Sequence, residues 1–234
     1  MLAFNRRLMI IALAGTLAAC SDSNDSDDQV TPTPEPISYT FTVQVSNLTA
    51  GQPFSPIALI AHNEGALWQI GEPASTALEL MAEGGDNSVL LQFADAIASV
   101  SGDAPVAPGA QTTLTITTDS IEQLKLSLST MMVNTNDGFT GLNAMDVSSL
   151  AVDQTLTHFT LAYDAGTESN SEASGTIPGP ADSAEGFNEA RDDVNVIAMH
   201  PGVVSQYDGL AASILSSEHK FDNPLAKIVI TRTQ

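Results

Sequence analysis

The chain has 234 residues, with 28 Asp and Glu against 7 Lys and Arg, and a formal net charge of −21. A surface of that sign repels nucleic acid and anionic lipid, which argues against any nucleic-acid partner and against lipid binding through basic patches. Cys20 is the only cysteine, so no intrachain disulfide can form.

The first segment reads as an address. Arg6 and Arg7 precede an apolar run from Leu8 to Leu17, broken only by Gly15 and Thr16 and too short to span a bilayer. It closes on Leu17-Ala18-Ala19-Cys20, which resembles the lipobox of bacterial lipoprotein signal peptides. The resemblance implies a signal peptide over 1–19, cleavage before Cys20, and lipidation of that cysteine, so that the membrane becomes a partner through Cys20. An ordinary signal peptide followed by a chance cysteine is the plainer alternative. Ser21 stands where aspartate would favour inner-membrane retention, which points to the outer membrane. Residues 20–36 are predicted to be a disordered tether. Ser21 to Asp28 is polar and acidic, and Thr31-Pro32-Thr33-Pro34-Glu35-Pro36 favours extended backbone. The acids at 22–28 lack the glycine and closing glutamate of an EF-hand loop and read as a solvated linker.

The remaining residues, 37–234, are predicted to form a single domain. From Ile37 to Asn47, Tyr39, Phe41, Val43 and Val45 alternate with Thr40, Thr42 and Gln44, the period of a half-buried strand. Ile57 to Ala61 is a short apolar run, expected as a buried strand. The middle turns helical. Thr76-Ala77-Leu78-Glu79 has capping-box spacing and Gly84-Gly85 a helix stop, and Asn87 is expected to cap a second short helix carrying Leu90, Leu91, Ala94 and Ile97. Strand signals return at 112–118, at Leu124, Leu126 and Leu128, and at 156–163, 194–199 and 226–233. Seven or eight short strands with turns between them predict an antiparallel β-sandwich with short helical inserts. Asp164 to Asp193 is a long acidic stretch without periodicity, of the kind that is functional or disordered. Trp68 is expected to pack beneath the helical insert, and Met131-Met132 to lie in the core or at its rim.

Two short acidic segments carry the chemistry. Asn134-Thr135-Asn136-Asp137-Gly138-Phe139 and Tyr163-Asp164-Ala165-Gly166-Thr167-Glu168 each place carboxylates on a glycine-bearing loop beside neutral oxygen donors. No Lys or Arg lies between Lys125 and Arg191 to neutralise them. Hard oxygen donors on such loops suit Ca²⁺ better than a transition metal. Asn136-Asp137-Gly138 also reads as turn chemistry, and Asp164 and Glu168 as two acids on an exposed loop. Thr135, Asn134 and Asn143 are further candidate donors. His62, His158, His200 and His219 form no zinc-ligand spacing, and no Gly-x-Ser-x-Gly elbow or serine–base arrangement is present. No catalytic residue is expected, and the chain is read as a non-enzyme.

Asp164-Ala165-Gly166-Thr167-Glu168 resembles the Asp-Ala-Gly-Thr-Asp signature of spondin N-terminal domains. Leu67-Trp68-Gln69-Ile70-Gly71-Glu72-Pro73-Ala74-Ser75, Asn136-Asp137-Gly138-Phe139, Ile177-Pro178-Gly179-Pro180 and Lys227-Ile228-Val229-Ile230-Thr231-Arg232 match in the same order. The resemblance covers 37–234 and implies a β-sandwich similar to calcium-dependent membrane-binding sandwiches. It also implies one Ca²⁺ held by Asp137, Asp164 and Glu168. Glu168 departs from the family's aspartate by one methylene, which alters the reach of that ligand. The function implied is a lipid-anchored envelope binding or adhesion module, engaging an envelope or extracellular protein, glycan or lipid head group through its calcium-end loops. A structural lipoprotein without a specific ligand and a calcium-dependent hydrolase are the alternatives.

Overall fold

The computed structural model describes residues 36–184 and 186–234. The predicted signal peptide, Cys20 and all of the tether before Pro36 lie outside the described residues. The fold is mainly β, two antiparallel sheets with one α-helix and short 3₁₀ turns. Its elements in chain order are β1 (Tyr39–Asn47), β2 (Ala58–His62), α1 (Thr76–Gly84), β3 (Ala96–Ser101), β4 (Gln111–Thr118), β5 (Lys125–Met131), β6 (Gly138–Asp146), β7 (Thr155–Phe159), β8 (Ala162–Asp164), β9 (Ala198–Met199) and β10 (Ala226–Arg232). One sheet runs β4-β1-β10-β7, the other β3-β2-β5-β6-β8-β9. Among the described residues no helix is long and apolar enough to cross a membrane.

Alternation decides which face of each strand is buried. Phe41, Val43 and Val45 of β1, Leu114 and Ile116 of β4, and Ile228 and Ile230 of β10 meet Leu59 of β2, Leu126 and Leu128 of β5 and Leu142 of β6 in the main core. Each such side chain withdrawn from water contributes about 1.5–3 kcal/mol. The six-stranded sheet is also covered on its other face. Leu78, Met81 and Ala82 of α1 pack with Trp68, Ile60, Met131 and Phe139 in a second cluster. β2 is therefore buried along its whole length, which is why it reads as an unbroken apolar run. Trp68 packs edge-on to Phe139 at 5.2 Å and is tilted against Tyr163 at 5.4 Å, under the helical layer. Met131 and Met132 are core.

Four sequence expectations change, one of them the strand expected over 194–199, which forms only at Ala198–Met199. The helix cap is Ser75, one residue before Thr76, its side chain accepting from Leu78 N–H at 3.2 Å. Glu79 is thereby freed for a tertiary ion pair. The second helix shrinks to a 3₁₀ turn, Leu90–Gln92. Asn87 does not cap it but donates to Pro56 O at 2.9 Å and Ser101 Oγ at 3.0 Å. Ile97 sits in β3, where pairing with β2 overrides the helical spacing. The strand predicted over 156–163 is two strands in different sheets. The chain crosses between them at Thr160 and Leu161, where Thr140 Oγ1 bonds Thr160 Oγ1 at 2.7 Å and Leu161 O at 2.8 Å.

Candidate functional site

Strand pairing brings the two acidic segments together. β6 and β8 are antiparallel neighbours with Gly138 opposite Asp164, so Asp137, one residue before β6, lies beside the end of β8. Asp164 then folds its own loop. Its Oδ1 accepts from Gly166 N–H at 2.8 Å and its Oδ2 from Asn170 Nδ2 at 2.5 Å. Gly166 sits at φ +69°, and a Cβ there would collide with the backbone of Val196, so the loop closes only around glycine. The turn aims Thr167 and Glu168 back at Asp137. Asp137 Oδ2 accepts from Thr167 N–H at 2.8 Å, Glu168 N–H at 3.1 Å and Thr167 Oγ1 at 3.3 Å. Asp137 Oδ1 is buried and has no partner.

The site is not an open loop tip. Asp137 is 0 % and Asp164 5 % exposed, beneath the long segment that follows β8. Burial first, and the Asp164 charge second, push the Asp137 carboxyl up to about 7. Glu168 is pushed up to about 8 chiefly by burial, with the charges of Glu83, Asp137 and Asp192 adding to it against a hydrogen bond from Asn136. Glu83, 1 % exposed, reaches the cluster from α1, accepting from Asn188 N–H at 2.9 Å. Burial raises its pKa too. Arg191, whose charge reaches Glu83, is committed elsewhere, its Nη2 2.6 Å from Glu79 Oε2 with a second bond from Nε to Oε1 at 2.8 Å.

The three acids named from sequence are thus interlocked: Asp137 takes the backbone of Glu168 and feels the charge of Asp164. The other donors named from sequence have other work. Thr135 Oγ1 closes its own turn onto Met132 O at 2.7 Å. Asn134 is bound to Gly51 O, at 2.9 Å, and to Ala181 N–H. Asn143 holds the Leu67–Trp68 backbone. Two participants were missed. Glu83 had a signal, since it follows Glu79 by one helical turn and so shares its face. His200 had none. Tertiary structure alone lays its ring beside Gly138, where burial pushes it down to about 4 against the opposing charge of Asp164.

No protein-family model matches the chain, and no curated protein matches it. The site must be judged on its own chemistry. Among the described residues no three His, Cys, Asp or Glu side chains converge closely enough to hold a metal ion. In kind the donors suit a hard cation, being carboxylates with one oxygen, Asp137 Oδ1, buried and unpartnered. An ion here would take at most two of these carboxylates as the chain stands. Ca²⁺ fills out six to eight ligands with carbonyl oxygens and water, which makes two carboxylates compatible with it, whereas a thiolate or imidazole metal would lack its ligands.

Proposed function

We propose that this protein is a lipid-anchored cell-envelope module of the spondin type, held at the outer membrane through Cys20, which binds a partner with the segments folded over a Ca²⁺ site that takes two carboxylates from among Asp137, Asp164 and Glu168. The observation that carries the reading is Asp137 Oδ1, a fully buried carboxylate oxygen without a protein partner that feels the charge of Asp164, with Arg191 paired to Glu79 instead. Such an arrangement costs free energy until a cation or a proton joins it. The ion would pin the 165–197 segment to the β5–β6 turn. The segments tied to this region also display apolar side chains to solvent, Val194, Val204 and Tyr207 among them, which suits them to contact a partner.

The burial of the acids favours a structural ion over a catalytic one, since Asp137 and Asp164 offer a substrate almost no surface. A lipoprotein stabilised by calcium but without a specific ligand is therefore the second reading, ahead of a calcium-dependent hydrolase. The purified protein in detergent should melt at a temperature that rises with calcium concentration and falls in chelator. Immobilised, it should retain an envelope or extracellular component only when calcium is present. A melting temperature indifferent to both calcium and chelator would remove the ion. Calcium-dependent melting without any retained component would leave the structural reading.

A further inference from the structure

Among the described residues the sandwich has four edge strands, β4 and β7 in one sheet and β3 and β9 in the other. An open edge carries a row of unpaired N–H and C=O groups. Proteins blunt such edges by keeping them short or by placing charges, prolines or bulges along them. β9 has two residues and β7 five. β3 has six, and its pairing with β2 shifts register between Ala61 and His62. β4 is the longest, eight residues paired to β1 without a register shift, and β1 is the only strand paired with it among the described residues. It contains no charged residue and no proline. In a chain of net charge −21 this is a departure: between Asp95 and Asp119 the only charged residue is Asp103.

The free edge borders a groove of about 440 Å³, lined by Gln111 to Thr115 on one side and Val100 to Ala107 on the other. The core is only partly covered there, since Ala98, Val100 and Ala110 pack against it half-buried. The strand fits a second copy of itself. Thr112-Thr113-Leu114-Thr115-Ile116-Thr117-Thr118 reads the same in both directions about Thr115, except that Leu114 and Ile116 trade places. Antiparallel pairing centred on Thr115 sets Thr113 opposite Thr117 of the second copy and Leu114 opposite its Ile116. Residues directly opposite share a face of the sheet. Leu114 and Ile116, both buried in each copy, then meet on the core side, and the exposed Thr113, Thr115 and Thr117 meet on the outer side. A two-fold contact requires this self-complementarity. β1 and β4 already join threonine to threonine, with Thr40 Oγ1 3.0 Å from Thr117 Oγ1. The chain's own leading segment fits the edge poorly, because Pro32, Pro34 and Pro36 have no N–H to give a ladder. Two copies of so acidic a chain repel wherever their acids meet, and β4 brings none.

We propose that β4 is a homodimerisation strand: two copies pair antiparallel about Thr115, joining their four-stranded sheets into one continuous sheet and covering the groove with Leu114 and Ile116 of the second copy. The contact closes on itself, because each copy's β4 edge is consumed by the other. It needs no calcium, and the acids near β6 and β8 belong to the other sheet. One strand of eight residues is a small interface, so the dimer should dissociate on dilution.

Cysteine placement reads the register directly. Opposite Cα atoms in an antiparallel pair stand about 4.5–5.5 Å apart, within reach of a disulfide. With the full chain in detergent under mild oxidation, Thr115→Cys should give a dimer linked between the two substituted positions, identified by mass spectrometry of the joined peptides. Thr155→Cys, on the opposite edge strand β7, should give no dimer beyond the level the unsubstituted chain shows through Cys20. Adding Thr113→Lys and Thr117→Lys to Thr115→Cys sets like charges face to face in both symmetric pairs and should lower the linked fraction about tenfold. Adding Thr113→Lys and Thr117→Glu sets opposite charges face to face and should keep it. All these side chains are exposed, so circular dichroism should stay unchanged, and the comparison of Thr115→Cys with Thr155→Cys decides the matter even where a charged variant fails to fold. No link at position 115, a link equalled at position 155, or a link that both charged variants weaken alike would overturn the proposal. In intact cells, a 115 link to a different protein without the self-linked product would give the edge to that partner and also overturn it.

Discussion

Asp137→Asn in the calcium-free protein gives the most direct measure of what the buried carboxylate costs. Burial and then the Asp164 charge push the Asp137 carboxyl up to about 7 in the folded chain, against 3.8 for the ordinary side chain. Its folded pKa is raised, so the folded state holds a proton that the unfolded chain has already released. The stability this confers is complete below about pH 4 and is lost as pH rises through about 7. A shift of about three units at 1.36 kcal/mol each is on the order of 4 kcal/mol. His200 works in the opposite sense. Burial lowers it from 6.5 to about 4, so its contribution is complete above pH 6.5 and is lost as pH falls through about 4. The two oppose each other between about pH 4 and 6.5, and the wild-type curve alone conceals both. The difference between wild type and Asp137→Asn isolates the carboxylate. Asparagine can still accept from Thr167 and Glu168 N–H through its oxygen, and it carries no charge. In chelator, urea unfolding should show the variant gaining on wild type by on the order of 4 kcal/mol between about pH 4 and pH 8. If the proposed calcium site exists, saturating calcium should shrink or reverse that gain, because the ion would bind the wild type better than the variant. A difference that stays within about 1 kcal/mol across the range in chelator would refute the uncompensated carboxylate and remove the electrostatic case for a cation.

Three further outcomes are expected. Gly166→Ala places a side chain at φ +69° against Val196 and should cost about 1–3 kcal/mol, read by thermal melting, with faster proteolysis confined to the 165–197 segment. Arg191→Met leaves Glu79, whose side chain is 4 % exposed, without its partner and should cost about 3 kcal/mol. Glu79→Gln combined with Arg191→Met should recover part of that loss, and a double variant no better than the single one would contradict the pairing argument. Cys20→Ala should abolish lipid labelling and leave an unprocessed precursor; normal maturation with retention in the membrane fraction would refute the lipobox reading.

How legible each element was in the sequence follows from how it is buried. β1, β4 and β10 alternate between buried and more exposed positions, because their sheet has a core face and an uncovered face; β1 was visible as a period of two, and β4 and β10 were read as strands without that period being drawn. β6 was not read as a strand, and its first five residues, Gly138 to Leu142, explain why: all are buried, between the main core and the α1 cluster, so the polar half of the alternation is missing. β3 is built of small residues, Ala96, Ala98 and Ser99 among them, whose pattern is too weak to oppose a helical reading until β2 is beside it. The candidate site was half legible. Asp137, Asp164 and Glu168 could be named because acids on glycine turns are local features. Their closeness depends on the register Gly138 opposite Asp164, which no local pattern encodes. Their burial was misjudged for the same reason: the segment that covers them has no periodicity to announce that it folds back.

That covering segment also suggests what so many acids do in a chain without disulfides. Between β8 and β9 the backbone joins no sheet, and its amides need other acceptors. Carboxylates supply several of them, most of these buried and Asp192 exposed. Asp137 takes Thr167 and Glu168, Glu83 takes Asn188, Asp192 takes Ser169, and beyond β9 Glu172 takes Val204 at 2.8 Å and the Ser213 hydroxyl at 3.0 Å. An ionised acceptor makes the stronger bond, and each such bond ties loop backbone to a distant element. The acids work as staples, and charge repulsion among them is the cost. At Glu79 the cost is offset by Arg191. At Asp208 it is offset by Lys220, 2.5 Å away. At Asp137 no basic side chain arrives from among the described residues, and one oxygen is left over after the loop has been satisfied. On the proposed reading, the residue that fastens the loop would also meet the cation, and ion uptake would then be coupled to the order of the segment above it.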